Sequence, residues 1–139
     1  MKIGILGGTF NPPHKGHLIL AKEAREKLKL DKVIFIPANI PPHKQAYPIS
    51  AQHRLNMLKL AIGDDKLFEI SDIEIKRGDK SYTIDTVRKL KKSFPKSDFY
   101  LIIGSDLAND FSTWKDYQEI EKLVKIVVAK RQDFPLKNK

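Results

Sequence analysis

The chain has 139 residues, 41% of them hydrophobic and 31% charged, which suits one folded core and excludes a fibrous or disordered polypeptide. It has no cysteine, which excludes disulfides and thiolate metal centres, and no apolar run long enough to span a bilayer. The formal charge of +9 is spread along helical faces, not massed in one block, so it describes a lysine-rich surface as readily as a site for a polyanion. Met1-Lys2-Ile3 runs straight into a strand-like segment, so the expectation is a single cytoplasmic domain over 1–139 with no secretory leader.

KIGIL (2–6) reads as a first buried strand, and HLILAKEAREKLKL (17–30) as a helix with Leu18, Ala21, Ala24 and Leu28 on one face. KVIFIP (32–37) is a second buried strand. ISAQHRLNMLKLAIG (49–63) is a helix capped by Ser50 and stopped by Gly63. LFEIS and IEI (67–75) read as a third strand with an extension or edge piece. SYTIDTVRKLKKSF (81–94) is a loop running into a helix that Pro95 ends, DFYLIIG (98–104) a fourth strand, DYQEIEKL (116–123) a helix and KIVVAKR (125–131) the last strand. This alternation predicts an α/β fold of the Rossmann-like, doubly wound type, with a mainly parallel sheet of about five strands and helices on both faces. Ligands of such sheets bind beyond the carboxyl ends of the strands, so the loops after Leu6, Pro37, Ile75, Ile103 and Arg131 are the places to search.

The first of these loops is GGTFNPPHKGH (7–17). Gly7 and Gly8 lack side chains, so a bulky anion can lie against their N–H groups, and the positive end of the next helix points to the same place. His14 and His17 stand three apart at the helix start and can share one side of its first turn, with Gly16 between them leaving room for close approach. Imidazole donors suit phosphate oxygens. A pair of capping or surface histidines, or a metal site, is the ordinary alternative for an isolated H-x-x-H. No Walker A loop and no G-x-G-x-x-G fingerprint occurs.

GGTFNPPHKGH resembles the H-x-G-H signature of the nucleotidyltransferase superfamily. PANIPPHK (37–44), SYTIDT (81–86) and IIGSDLANDFSTW (102–114) are similar to segments of one member family, the bacterial nicotinate-nucleotide adenylyltransferases. The resemblance spans nearly the whole chain. It implies catalytic roles for His14 and His17, and ATP binding by Gly7, Gly8, Thr9, Phe10 and Gly16 with Gly104, Asp106 and Arg131. Arg131 departs from the family pattern in its neighbours, Lys130 and Gln132. For nicotinate mononucleotide the resemblance implies His43, Lys44, Tyr82, Thr83 and Trp114. From chemistry alone, Lys44 and His43 suit a mononucleotide phosphate or a solvated surface loop. Tyr82 and Thr83 suit a carboxylate or a simple helix cap. Trp114, the only tryptophan, suits stacking on a pyridine ring or an ordinary rim aromatic. Asp106 suits ribose hydroxyls or an N-cap.

The reaction implied is transfer of AMP from ATP to nicotinate mononucleotide, with Mg²⁺ held mainly by the ATP phosphates and by no protein ligand. A phosphate monoester with a second pKa of about 6 is mostly dianionic at neutral pH and needs no general base. The expected partners are these small molecules, with no nucleic acid and no membrane. The family commonly continues into a segment with an I-S-[ST]-x-x-I-R motif that helps hold the ATP phosphates; it does not occur before Lys139, so either a truncated product or another phosphate-holding element is expected. The alternatives are pantetheine-phosphate adenylyltransferase, a catalytically impaired nucleotide-binding fragment and a basic nucleic-acid-binding domain.

Overall fold

Alternate residues of the first strand face opposite sides of a sheet, and both sides are covered. A computed structural model of the chain describes residues 1–8, 15–37, 51–63, 65–77, 82–104, 108 and 110–129. In order these form strand β1 (Lys2–Gly8), helix α1 (Lys15–Leu28), β2 (Lys32–Pro37), α2 (Ala51–Ile62) and β3 (Phe68–Ile70). They continue with α3 (Ile73–Arg77), α4 (Thr83–Ser93), β4 (Asp98–Gly104), a 3-10 turn (Phe111–Thr113), α5 (Tyr117–Leu123) and β5 (Lys125–Ala129). The sheet is all parallel in the order β3-β2-β1-β4-β5.

The pleat divides the core in two. Ile3, Ile5, Ile34, Ile36, Phe99, Leu101 and Ile103 face Ile84, Val87 and Leu90 of α4 and Ile120 of α5. Leu6, Val33, Phe35, Tyr100 and Ile102 face Leu20, Ala21 and Ala24 of α1 and Leu58 of α2. Parallel strands covered on both faces need a near-continuous apolar run, which KVIFIP and DFYLIIG supply. Gly4 lies under α1's side of the sheet, where a Cβ would come 2.8 Å from Leu30 Cδ1 and 3.1 Å from Ile102 Cδ1. The five strands and the two-faced covering are those expected from the sequence.

Two helix ends use the left-handed conformation. Gly63 (φ 63°) gives its N–H to the Lys59 carbonyl at 3.1 Å and stops α2 as expected; Ser50, expected as that helix's cap, lies outside the described residues. At the end of α1 the same conformation is taken by Lys29 (φ 55°), while the Leu30 N–H reaches back to the Arg25 carbonyl at 3.0 Å, as in a Schellman motif.

One expectation is corrected. IEI (73–75) is not a strand extension but the start of α3, so the third strand ends at Ile70. The Ser71 N–H is taken by the Phe35 carbonyl at 2.9 Å, and the Ser71 hydroxyl accepts the Ile73 N–H at 3.3 Å, turning the chain out of the sheet. The Lys76 N–H then bonds to the Asp72 carbonyl at 2.8 Å. A strand would separate Ile73 and Ile75 from Glu74; the helix instead carries Glu74 inward, where it is buried.

Candidate functional site

The carboxyl ends of the strands part at one place. β1 pairs with β2 as far as Gly8 and Pro37, but its ladder with β4 stops at Ile5 and Leu101. Past that point β4 continues only with β5, to Gly104 and Ala129. The ladder between β1 and β4 thus ends short of both strand tips, at the switch in strand order where doubly wound sheets bind their ligands.

Gly7 and Gly8 end the strand on one side of this switch. Among the described residues a Cβ on Gly7 would meet only the Ile36 carbonyl oxygen, at an ordinary 3.8 Å, and Gly7 is exposed without a positive φ. Among the described residues neither packing nor a positive φ requires a glycine there. Gly16 and His17, both half-buried, sit in the first turn of α1. That turn contains no acidic residue, so the positive end of the helix keeps its attraction for an anion. Gly104, buried, ends β4 on the other side.

A second group forms where α4 begins. Tyr82 is extended (φ −111°, ψ 130°) and makes no side-chain cap hydrogen bond; its carbonyl accepts the N–H groups of Asp85 and Thr86 at 3.2 and 3.4 Å. Thr83 is the first helical residue. Trp114 follows the 3-10 turn and packs its ring 5.0 Å from Phe111, which stands 5.9 Å from Tyr117. Tyr82 and Trp114 both lean on the α4–α5 core, and Lys115 places its ammonium 4.7 Å over the Tyr82 ring. The structure thus brings Tyr82, Thr83 and the Trp114 turn to one side of the sheet.

Arg88 organises the charge below them. Its Nε meets Glu119 Oε2 at 3.0 Å, its Nη2 meets Glu119 Oε1 at 2.5 Å, and Asp85 and Asp116 lie 3.7 Å away. The hydrogen bond to Arg88 holds the Glu119 carboxyl below the usual carboxylate range, and the same bond raises the Arg88 guanidinium. Asp116 can join because it adopts the left-handed conformation (φ 52°) just before α5.

Of the other expected site residues, Thr9, Phe10, His14, His43, Lys44, Asp106 and Arg131 lie outside the described residues. Three residues beside this group were not singled out in the sequence: Glu74 with its partner Thr86, and Lys115. No local motif signals them, because each acts through a residue distant in the chain or read as part of another pattern.

A family model described as cytidylyltransferase-like matches residues 5–139. A relative from Citrifermentans bemidjiense, named probable nicotinate-nucleotide adenylyltransferase, is 48% identical over 132 residues, covering 94% of this chain and 61% of its own length. One of the same name from Bacillus licheniformis is 46% identical over 136 residues, covering 97% of this chain and 72% of its own. The chain therefore spans about three fifths to three quarters of these relatives. The structure of Plasmodium falciparum nicotinic acid mononucleotide adenylyltransferase complexed with NaAD superposes with a TM-score of 0.84, covering 99% of this chain and 68% of that one, at 20% identity, a likeness of fold. With the family model matched over most of its length and these relatives, the chain belongs to the nicotinate-nucleotide adenylyltransferase family of cytidylyltransferase-like proteins.

Proposed function

We propose that the protein transfers AMP from ATP to nicotinate mononucleotide, giving nicotinate adenine dinucleotide and pyrophosphate. The observation that carries this reading is the early end of the β1–β4 ladder at the switch in strand order, with Gly7 closing β1 and His17 in the first turn of the helix that follows. ATP lies there with its phosphates against the N–H groups of the turn and the imidazoles of His14 and His17. Nicotinate mononucleotide approaches from the side of Tyr82, Thr83 and Trp114, with His43 and Lys44 taking its phosphate and the indole stacking on its ring. Asp106 and Arg131 complete the ATP side.

An oxygen of the mononucleotide phosphate attacks the α-phosphorus; a new P–O bond forms, the bond to the bridging oxygen breaks and pyrophosphate leaves. The nucleophile is already an anion at neutral pH, so the protein's task is alignment and stabilisation of charge on the α-phosphate and the departing group. Mg²⁺ supplies charge neutralisation along the triphosphate. Among the described residues no three His, Asp or Glu gather as a metal site, and phosphate oxygens with water are a sufficient shell for magnesium. The setting proposed is the cytoplasm; among the described residues no helix is long and apolar enough to cross a membrane.

The test is pyrophosphate release with ATP and Mg²⁺ against nicotinate mononucleotide, nicotinamide mononucleotide and phosphopantetheine. Turnover is expected with the mononucleotides, the acid form preferred because helix-start amides at Thr83 favour a carboxylate. Turnover with phosphopantetheine instead, or mononucleotide binding with no pyrophosphate, overturns the reading.

A further inference from the structure

Glu74 is a buried carboxylate on a helix of only five residues. Such a group is tolerated only where hydrogen bonds replace the water it has lost. One such bond comes from the Thr86 hydroxyl, which donates to Glu74 Oε2 at 2.5 Å, with Thr86 itself 2% exposed. Thr86 lies in the opening turn of α4, three residues after Thr83. On its other side α3 is tied to the sheet: the Ile73 N–H bonds to the Ser71 hydroxyl, and the Ser71 N–H to the Phe35 carbonyl of β2. A polar tether thus runs from β2 through α3 to the first turn of α4.

Apolar packing alone does not fix that turn. Ile84, Val87 and Leu90 bury one side of α4, but burial is non-directional and tolerates small slides and rotations. A short hydrogen bond between buried groups is directional and sets the helix in one register. We infer that Glu74, through Thr86, is a positioning residue for the mononucleotide: it sets the start of α4 so that Tyr82 and the first amides stand at a fixed place against the ligand. This rests on the mononucleotide lying at the start of α4, as in the proposed function. A carboxylate held by directed N–H groups loses affinity when these are misplaced by a fraction of an ångström, whereas the ATP side of the proposed function rests on β1 and α1.

The experiment compares wild type with Thr86→Val, Thr86→Ser and Glu74→Gln, each well below its melting temperature, by steady-state kinetics and by calorimetric titration of nicotinate mononucleotide. Thr86→Val removes the hydroxyl at nearly constant volume. It is expected to raise KM and Kd for nicotinate mononucleotide about tenfold while leaving KM for ATP within about twofold, with Thr86→Ser restoring wild-type behaviour. Glu74→Gln, which keeps the shape, should shift the same constants in the same direction and covers the case in which Thr86→Val does not fold. Equal weakening of both substrates, or a lower melting temperature with unchanged substrate constants, overturns the inference and leaves Glu74 purely structural. Failure of the proposed function shows differently, as wild type that neither binds nor turns over nicotinate mononucleotide.

Discussion

Gly4 and Gly7 stand three residues apart on β1 and are glycines for opposite reasons. A side chain on Gly4 runs into Leu30, Ile102 and Val33 within 3.3 Å, so Gly4→Val overpacks the core and should lower unfolding free energy by about 1–3 kcal/mol in a urea titration. Among the described residues Gly7 faces one carbonyl oxygen, at van der Waals distance. Gly7→Ala should keep the urea midpoint of wild type and instead raise KM for ATP several-fold; a loss of stability with unchanged ATP kinetics contradicts the proposed place of Gly7 at the phosphates. His17, in the first turn of α1, is assigned to charge that grows during the reaction. His17→Ala should therefore cut kcat by about a hundredfold or more with little change in KM for nicotinate mononucleotide. Wild-type turnover in that variant removes the role. The ends of this segment, Gly7 at the close of β1 and His17 in the first turn of α1, stand where the sequence puts a strand end and a helix start, because the runs on either side are strongly patterned. Glu74 was not legible in the sequence, since IEI alternates like a strand and its hydroxyl partner lies 12 residues away.

At the scale of elements, the bond between α4 and α5 is a charge-assisted one between Arg88 and Glu119. The hydrogen bond from Arg88 lowers the folded-state pKa of Glu119, so this contribution to stability is fully present above the carboxyl's unfolded value and is lost as pH falls through the lower folded one. Urea midpoints of wild type should fall more steeply below about pH 5 than those of Glu119→Gln. The gap should narrow in high salt, because both side chains are exposed. Parallel pH curves for the two proteins would show that the pair does not contribute. The helices themselves could be read from their apolar spacing, but their ends less well. α1 begins at Lys15, two residues before the periodic pattern, and ends on a left-handed Lys29 where a glycine would have announced the stop.

For the whole molecule, five short buried runs separated by helix-length segments dictate a parallel sheet covered on both faces, whereas the order β3-β2-β1-β4-β5 comes from the structure, because right-handed crossovers permit more than one doubly wound order. Which strands diverge at their ends is a property of register and cannot be seen in the runs themselves. Bound substrate should stabilise the folded chain by mass action: nicotinate mononucleotide at a hundredfold its Kd is expected to add ~2.7 kcal/mol, visible as a rise of several degrees in melting temperature. Nicotinamide mononucleotide at the same concentration should add less. An identical rise from both would remove the proposed preference for the acid.

The seam between β1 and β4, laddered from Lys2–Asp98 to Ile5–Leu101 and unzipped beyond, makes the sheet resemble a clothes-peg whose jaws belong to different strand pairs. Whatever is clamped between the tips is gripped from two directions at once, and firmness of grip depends on how stiffly each jaw is backed. Blemishes deep in the packing behind either jaw, far from any bound molecule, should therefore register first as slackened hold and only later as unfolding.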